Sequence, residues 1–476
     1  MQATNAPKQL NNDIKIGLKS FISICAILLG IMILVGILTF VIPSGSYQYD
    51  ANGEIIPNSF TLHESTSRLP ILRWFTAPVE ALLWGEGNFN IIQIILVLLV
   101  LGGSFKVLDK TGGLYAIVQI IINKFYHRRY SLIWIITLFM MLLASLFGLQ
   151  EELLIMFPIF ISFSKAMNWS NTFAASLVLT TTGVGFTTAI FNPFTVGVAS
   201  ELAGANMLDG VWYRIAIFAL MYLITSLFLV FTAKREEKKN VKLVNTSDFE
   251  ELSAEEKRDY NRRARAVIGL FVLVLAVILI ASIVPAIADL GLGMVFMAAT
   301  FVIGSLVIGK KCLGKFSDAI KGFLLGAKDI APSIVIILLA FSVKYIADNG
   351  EILHTMFYYC HDFMCQQSPF VSVILLYLLI LVLEFFIPGA SAKALLIIPL
   401  LTIAPIPYIS TNIIILAFLF GDGYANVLFP TCGTLVVGLG LAEVSYVDWL
   451  KKTIGFQILT FVLSIAFLLF AVYIGL

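Results

Sequence analysis

The sequence predicts an all-α, polytopic membrane fold built from two copies of one plan, and three observations point to it. The chain has 476 residues, 59% of them hydrophobic and 13% charged, with a mean hydropathy of +0.95. Soluble domains carry about a quarter charged residues, so this composition belongs to a bilayer protein. Apolar runs long enough for about 30 Å of hydrocarbon recur along the chain. A two-part pattern also occurs twice, 241 residues apart.

The elements follow in order. Residues 1–18 form a polar amino terminus, placed on the cytoplasmic side. The run 19–43 follows Lys8, Lys15 and Lys19; it is too long for a signal-peptide core and has no small-residue cleavage site, so it reads as a retained helix. Further runs lie near 90–106, 131–147, 171–205, 211–233, 264–284, 289–309, 330–348, 369–387, 410–441 and 452–475. The expected total is about 11–13 crossings. Lys234–Arg265 holds ten Lys and Arg residues, whereas loop 44–70 holds only Arg68, which places linker 234–263 inside as well. Two inside ends require an even number of crossings in the first half, where five are clear. Segment 112–126 is either the sixth or an interfacial helix.

The repeat spans 19–233 and 264–476. Its first copy reads FGLQEELLIMFPIF, then TTTGVGFTTAIFNPFTVG; its second reads IPGASAKALLIIPLL, then FGDGYANVLFPTCGTLVVG. A shift of 241 superposes Gly148 on Gly389, Pro158 on Pro399 and Asn171 on Asn412, and a shift of 237 brings Pro193 onto Pro430. The run 289–309 has no counterpart in the first half, and one extra crossing would invert the second copy relative to the first. Matched hydrophobic segments interrupted by Gly and Pro are the best sequence pointer to a midplane substrate site in a secondary carrier.

Backbone chemistry supplies the reason. Irregular backbone survives at membrane depth only when packed in protein or lining a wet cavity. Glycine permits close approach and proline removes a donor, so 171–205 and 410–441 are expected to be broken helices, unwound around Gly183, Gly185 and Pro193 and around Gly421, Gly423 and Pro430. Freed carbonyls could hold a cation and a half-helix amino end an anion. Segments 148–165 and 388–405, opening at Gly148 and Gly389, are short and apolar and look like re-entrant hairpins.

FGLQEE with FNPFTVGVA, and PGASAKA with GDGYANVLFPTCG, resemble the four-carbon dicarboxylate anaerobic carrier family, which also takes in arginine/ornithine exchangers. The resemblance covers most of the chain apart from the linker and the amino terminus. It implies the elevator-type fold of the ion-transporter superfamily, with two hairpins and two broken helices forming a moving transport domain, and a homodimer. It also marks Glu151 and Glu152 as the family's usual Glu-Glu pair. The second hairpin departs from the family's PSGSGQA pattern, placing Lys393 where a neutral amide is usual.

Candidate substrate-binding residues are Glu151, Glu152, Thr187, Asn192, Ser391, Lys393, Asp422, Asn426 and Thr431. Intramembrane charges are functional candidates by default. The alternatives are that the glutamates cap a hairpin at the water interface, that Asp422 caps a half-helix, and that the short polar groups, Thr188 included, glue helices together. Lys393 could meet a carboxylate of the protein or a substrate anion, and Glu384 sits just before the second hairpin, at headgroup level. His354, Cys360, His361, Asp362 and Cys365 cluster in sequence without metal spacing, so no metal and no cofactor is expected. The absence of a Walker A sequence, a nucleophile elbow and HExxH leaves no signal for an enzyme, and basic residues confined to short loops leave none for nucleic acid.

These features imply a secondary carrier in a bacterial plasma membrane, contacting the lipid bilayer and a small charged metabolite. A channel is the alternative of another class, but no ring of carbonyls or charges recurs. The shift of 241 pairs Glu152 with Lys393, and opposite charges at matching places suit a zwitterion. An amino acid such as arginine or ornithine is therefore expected, the alternative being a C4-dicarboxylate coupled to sodium or protons. Coupling to a sodium ion or a proton stays open.

Overall fold

The computed structural model describes residues 18–48, 56, 59–63, 69–85, 88–239, 254–284, 293–387, 390–403 and 406–476. The amino terminus 1–17, the middle of the linker (240–253) and Gly389 lie outside them. The described α-helices are α1 (Leu18–Val41), α2 (Ile71–Trp84), α3 (Asn88–Lys110), α4 (Gly113–Phe125), α5 (Arg129–Phe147), α6 (Phe157–Ala166), α7 (Asn171–Thr187), α8 (Val198–Leu202), α9 (Val211–Lys239), α10 (Ala254–Ile283), α11 (Gly293–Leu313), α12 (Phe316–Ile330), α13 (Pro332–Asn349), α14 (Ile352–Cys365), α15 (Pro369–Phe386), α16 (Ala390–Ile403), α17 (Thr411–Leu428), α18 (Gly433–Leu441) and α19 (Tyr446–Ile474). One two-residue β-pair, Gly45–Ser46 with Thr61–Leu62, closes the loop after α1.

Ten helical segments among the described residues are long and apolar enough to cross a membrane. The open segment of the first half is α4, whose 13 residues make a rod about 20 Å long, too short on its own for about 30 Å of hydrocarbon. α6 is shorter still, with 10 residues.

The packing plan occurs twice. α5, α7 and α9 pack on one another, and so do α15, α17 and α19, their counterparts under the 241 shift. Elsewhere the two halves interlock: α2 lies on α13, and α12 lies on α3. α2 and α12 were not expected from the apolar runs, because each is amphipathic and short. The signal was present in α2 as Trp74, Ala77 and Ala81, at helical spacing, which form its buried face. Arg73 fastens this helix by donating from Nε and Nη2 to Glu80 Oε2 at 2.9 and 2.7 Å and from Nη2 to the Tyr345 hydroxyl of α13 at 2.6 Å.

At the centre α7 packs against α17. Both are enclosed on every face, and nearly every residue from Phe173 to Thr187 and from Ile413 to Val427 is buried, polar Thr180–Thr182, Asp422 and Asn426 included. Each starts at a serine cap: Ser170 accepts from Phe173 N at 3.1 Å and Ser410 from Ile413 N at 3.3 Å.

The breaks differ from expectation in where they begin. Gly183 and Gly185 stay within α7, and Gly421 and Gly423 within α17; the chain leaves α geometry only at Thr188 and at Phe429. Helix resumes as a π-helical turn at Pro193–Gly197 leading into α8, and at Gly433. The prolines end the helices and the glycines let them touch. A Cβ on Gly423 would overlap the backbone N and hydroxyl of Thr187, and one on Gly183 would overlap Val427. Hydrogen-bonded helix is kept because no side chain forces the two axes apart.

Candidate functional site

α5 ends at Gly148, which takes φ +69°. Only glycine is comfortable there, and a Cβ would also run into the Asn192 side chain. This turn sends Gln150, Glu151 and Glu152 inward, after which Glu152–Met156 forms a 3-10 turn into α6. Glu152 is 8% exposed, and its Oε2 accepts from Gln150 N at 3.2 Å. Gln150 Oε1 accepts from Asn426 Nδ2 at 3.0 Å, and Cys432 Sγ donates to Asn426 Oδ1 at 3.4 Å. A chain of neutral contacts thus joins the first hairpin segment to the second break.

Beside it lies a charged cluster. Lys393 of α16, 2% exposed, donates from Nζ to Asp422 Oδ1 of α17 at 2.8 Å and forms a close ion pair with Glu384 Oε2 of α15. Asp422 is 0% and Glu384 3% exposed. Glu384, expected at headgroup level, is therefore enclosed at the heart of the protein. The reason is local: α15 is buried along one flank against α17, and Glu384 faces that flank, one turn from where a Cβ on Gly421 would meet it. Glu151 lies within the electrostatic reach of both Asp422 and Lys393 and contacts the Thr434 side chain at the amino end of α18.

The expected match of Lys393 with Glu152 is not what the structure brings together. Lys393 is held by Asp422 and Glu384, while Glu152 contacts Gln150 and neighbours Glu151. Sequence symmetry fixes backbone correspondence, whereas ion pairing follows the shortest path between side chains, and Glu384 and Asp422 have no charged counterparts in the first copy: 241 residues earlier stand Leu143 and Thr181.

Asn192 belongs to the other break and is fully buried, with Oδ1 accepting from Phe194 N at 2.9 Å and Nδ2 donating to Ala144 O at 3.5 Å. Thr187 donates to Gly183 O at 3.0 Å and Thr188 to Val184 O at 2.8 Å. Thr431 is buried in the second break beside Pro430. Ser391 falls in the first turn of α16, and Gly389 lies outside the described residues. Gln150 and Glu384 are the site members missed in sequence. Gln150 stood inside the FGLQEE pattern, overshadowed by its charged neighbours.

Several carbonyls offered as cation ligands already have donors. At the first break Ser145 Oγ donates to Thr188 O at 2.9 Å and accepts from Ile190 N at 3.0 Å. At the second, Trp449 Nε1 donates to Val427 O at 3.1 Å and the Tyr446 hydroxyl to Leu428 O at 2.6 Å. The anion place at the amino end of α18 likewise has a carboxylate of the protein, Glu151, beside it. Free acceptor capacity rests instead on carboxylates: Asp422 Oδ2 and Glu384 Oε1 are buried without a hydrogen-bond donor. Among the described residues no group of three or more His, Cys, Asp or Glu side chains is placed to hold a metal ion.

Comparison with known proteins bears on the whole chain. It is 24% identical over 480 residues to the Escherichia coli (strain K12) protein named "Putative basic amino acid antiporter YfcC", covering 91% of this chain and 93% of that one. It is 21% identical over 375 residues to a protein of Haemophilus influenzae, covering 77% and 72%. Among solved structures, the YdaH transporter of Alcanivorax borkumensis aligns at 16% identity and TM-score 0.43, covering 96% and 98% of the two chains. MtrF of Neisseria gonorrhoeae aligns at 14% identity and TM-score 0.42, covering 94% of each chain. The profile of the C4-dicarboxylate anaerobic carriers matches residues 21–473. With that match running from α1 to the end of α19, and with ten helices able to cross a membrane, this chain is a multi-pass membrane transporter belonging to the C4-dicarboxylate anaerobic carrier (DcuC) family.

Proposed function

We propose that the protein is a secondary carrier of a small amino acid with a cationic side chain, of the arginine or ornithine type, working as an exchanger or an ion-coupled carrier. The observation that supports this reading is the charge balance where the second break meets the first hairpin segment. Among the described residues, the carboxyl groups of Glu151, Glu152, Glu384 and Asp422 stand against one basic side chain, Lys393, which is already engaged by two of them. A dianion would enter a field of its own sign, whereas an ammonium or guanidinium group would relieve it. The name of the Escherichia coli relative points the same way.

The second reading, a C4-dicarboxylate carrier, is favoured by the family's description. On this site it requires protons or sodium to enter with the substrate and neutralise the carboxylates. In either case 148–205 and 388–441 would move together against the earlier helices of each half, in a homodimer.

Counterflow separates the readings. Purified protein in liposomes preloaded with arginine, ornithine or lysine is expected to accelerate uptake of labelled arginine. No acceleration of labelled arginine uptake by any of these loads, together with acceleration of labelled succinate uptake by succinate or fumarate loads, would transfer the assignment to dicarboxylates, and unitary conductance steps in a planar bilayer would remove the carrier reading altogether.

A further inference from the structure

We propose that Glu384 and Asp422 form a seat for a monovalent cation, and that Lys393 is a tethered cation filling it in the state seen here. The inference deepens the reading of the site as cationic, but its test does not need the substrate to be known.

Three helices build the seat. α15 supplies Glu384, α17 supplies Asp422, and α16 delivers the ammonium between them, 2.8 Å from Asp422 Oδ1 and in a close pair with Glu384 Oε2. All three side chains are at least 97% shielded from solvent. With both carboxylates ionised, one ammonium leaves the trio one negative charge in excess, and Glu384 Oε1 and Asp422 Oδ2 are buried without donors. An uncompensated charge is costly in a medium of low dielectric, so the seat strongly favours positive charge. Lysine supplies that charge as a compact ammonium on a flexible four-carbon stem, which can withdraw without dismantling the helices.

Two consequences follow. With its own ammonium in place, the protein needs no metal ion to hold α15 and α17 together, so a neutral residue at 393 would create a demand for sodium that the natural chain lacks. In transport, the cationic group of the substrate would take the seat as Lys393 leaves it, coupling occupancy of the site to the position of α16.

The test compares thermal unfolding of purified wild-type protein and Lys393→Gln in sodium chloride, in methylammonium chloride and in choline chloride at equal ionic strength. Wild type is expected to melt at the same temperature in all three. Lys393→Gln is expected to melt lower in choline and to regain several degrees, saturably, with sodium or methylammonium, because a ligand bound only by the folded state raises its stability. Adding Asp422→Asn to Lys393→Gln should abolish the rescue. A Lys393→Gln protein indifferent to all three salts, or a wild type that responds to sodium as strongly as the variant, would overturn the proposal. Should Lys393→Gln fail to fold, Glu384→Gln with Lys393→Gln restores the natural net charge of the trio; a weaker, higher-concentration sodium response supports the seat and a flat response refutes it. Counterflow selectivity is read separately, so loss of the amino-acid reading leaves this result standing.

Discussion

The two helix breaks share a backbone plan and differ in chemistry. The first, between α7 and α8, is held by neutral groups: Ser145 grips Thr188 and Ile190 from α5, and Asn192 caps the π-helical turn. The second, between α17 and α18, is roofed by Tyr446 and Trp449 of α19 and stands next to Asp422, Lys393 and Glu384. At the position matching Asp422 the first copy has Thr181, whose hydroxyl bonds back within its own helix to Leu177 O at 2.6 Å and Val178 O at 3.0 Å. Duplicated architecture thus carries an unequal division of labour. One break is a braced bend, and the other couples a bend to buried charge.

The largest expected effect tests that inequality directly. Asp422→Asn keeps size and hydrogen-bonding capacity but removes the charge, so it should abolish counterflow while the protein still elutes as a folded species in detergent. Thr181→Ala at the matching position should leave counterflow within a few-fold of wild type. Equal losses in the two variants would erase the distinction between the breaks.

Next comes the contact where α7 and α17 meet. Gly423→Ala would push a methyl group into the backbone N of Thr187 and force the helices apart, at a cost of about 1–3 kcal/mol in stability. A lowered melting temperature checks this, and an unchanged one would mean that the two helices are free to separate. Ser145→Ala should cost less, roughly 0.5–1.5 kcal/mol, because Ile190 N keeps its bond to the Ser145 carbonyl at 3.1 Å. Its transport should keep the wild-type response to salts, since the hydroxyl's partners, Thr188 O and Ile190 N, are neutral; a change in cation dependence would give the first break a share in ion chemistry.

The smallest effect lies far from both breaks. The Arg73 hydrogen bonds hold the Glu80 carboxyl down to about 2, below the usual 4.5. A depressed carboxylate stabilises the fold above its ordinary range, and that contribution is lost as pH falls through about 2. The Arg73 side chain is 41% exposed and solvent screens the pair, so Glu80→Gln should lower stability by about 1 kcal/mol at most at neutral pH. Melting curves of the two proteins should converge on acidification.

Much was legible beforehand because it depends on local chemistry. Pro193 and Pro430 marked the helix interruptions, since proline can neither donate nor continue the ladder. The glycines were less transparent. Gly183 and Gly423 read from sequence as unwinding points, and only the approach of α7 to α17 shows them to be packing contacts. α2 and α12 escaped notice for a related reason: each has a short buried stripe whose purpose lies in the opposite half of the chain.

Composition, apolar run length and the 241-residue repeat by themselves determined a polytopic helical chain with two interrupted segments, because the cost of unsatisfied backbone in hydrocarbon leaves few other folds. They also brought forward the charges Glu151, Glu152, Lys393 and Asp422 as intramembrane candidates. Tertiary structure decided who pairs with whom. Lys393 reaches Glu384 and Asp422 rather than Glu152 because three helices from one half converge on a single buried point. Ion pairing in a low dielectric depends on separations of a few ångströms, a quantity that spacing along the chain does not contain.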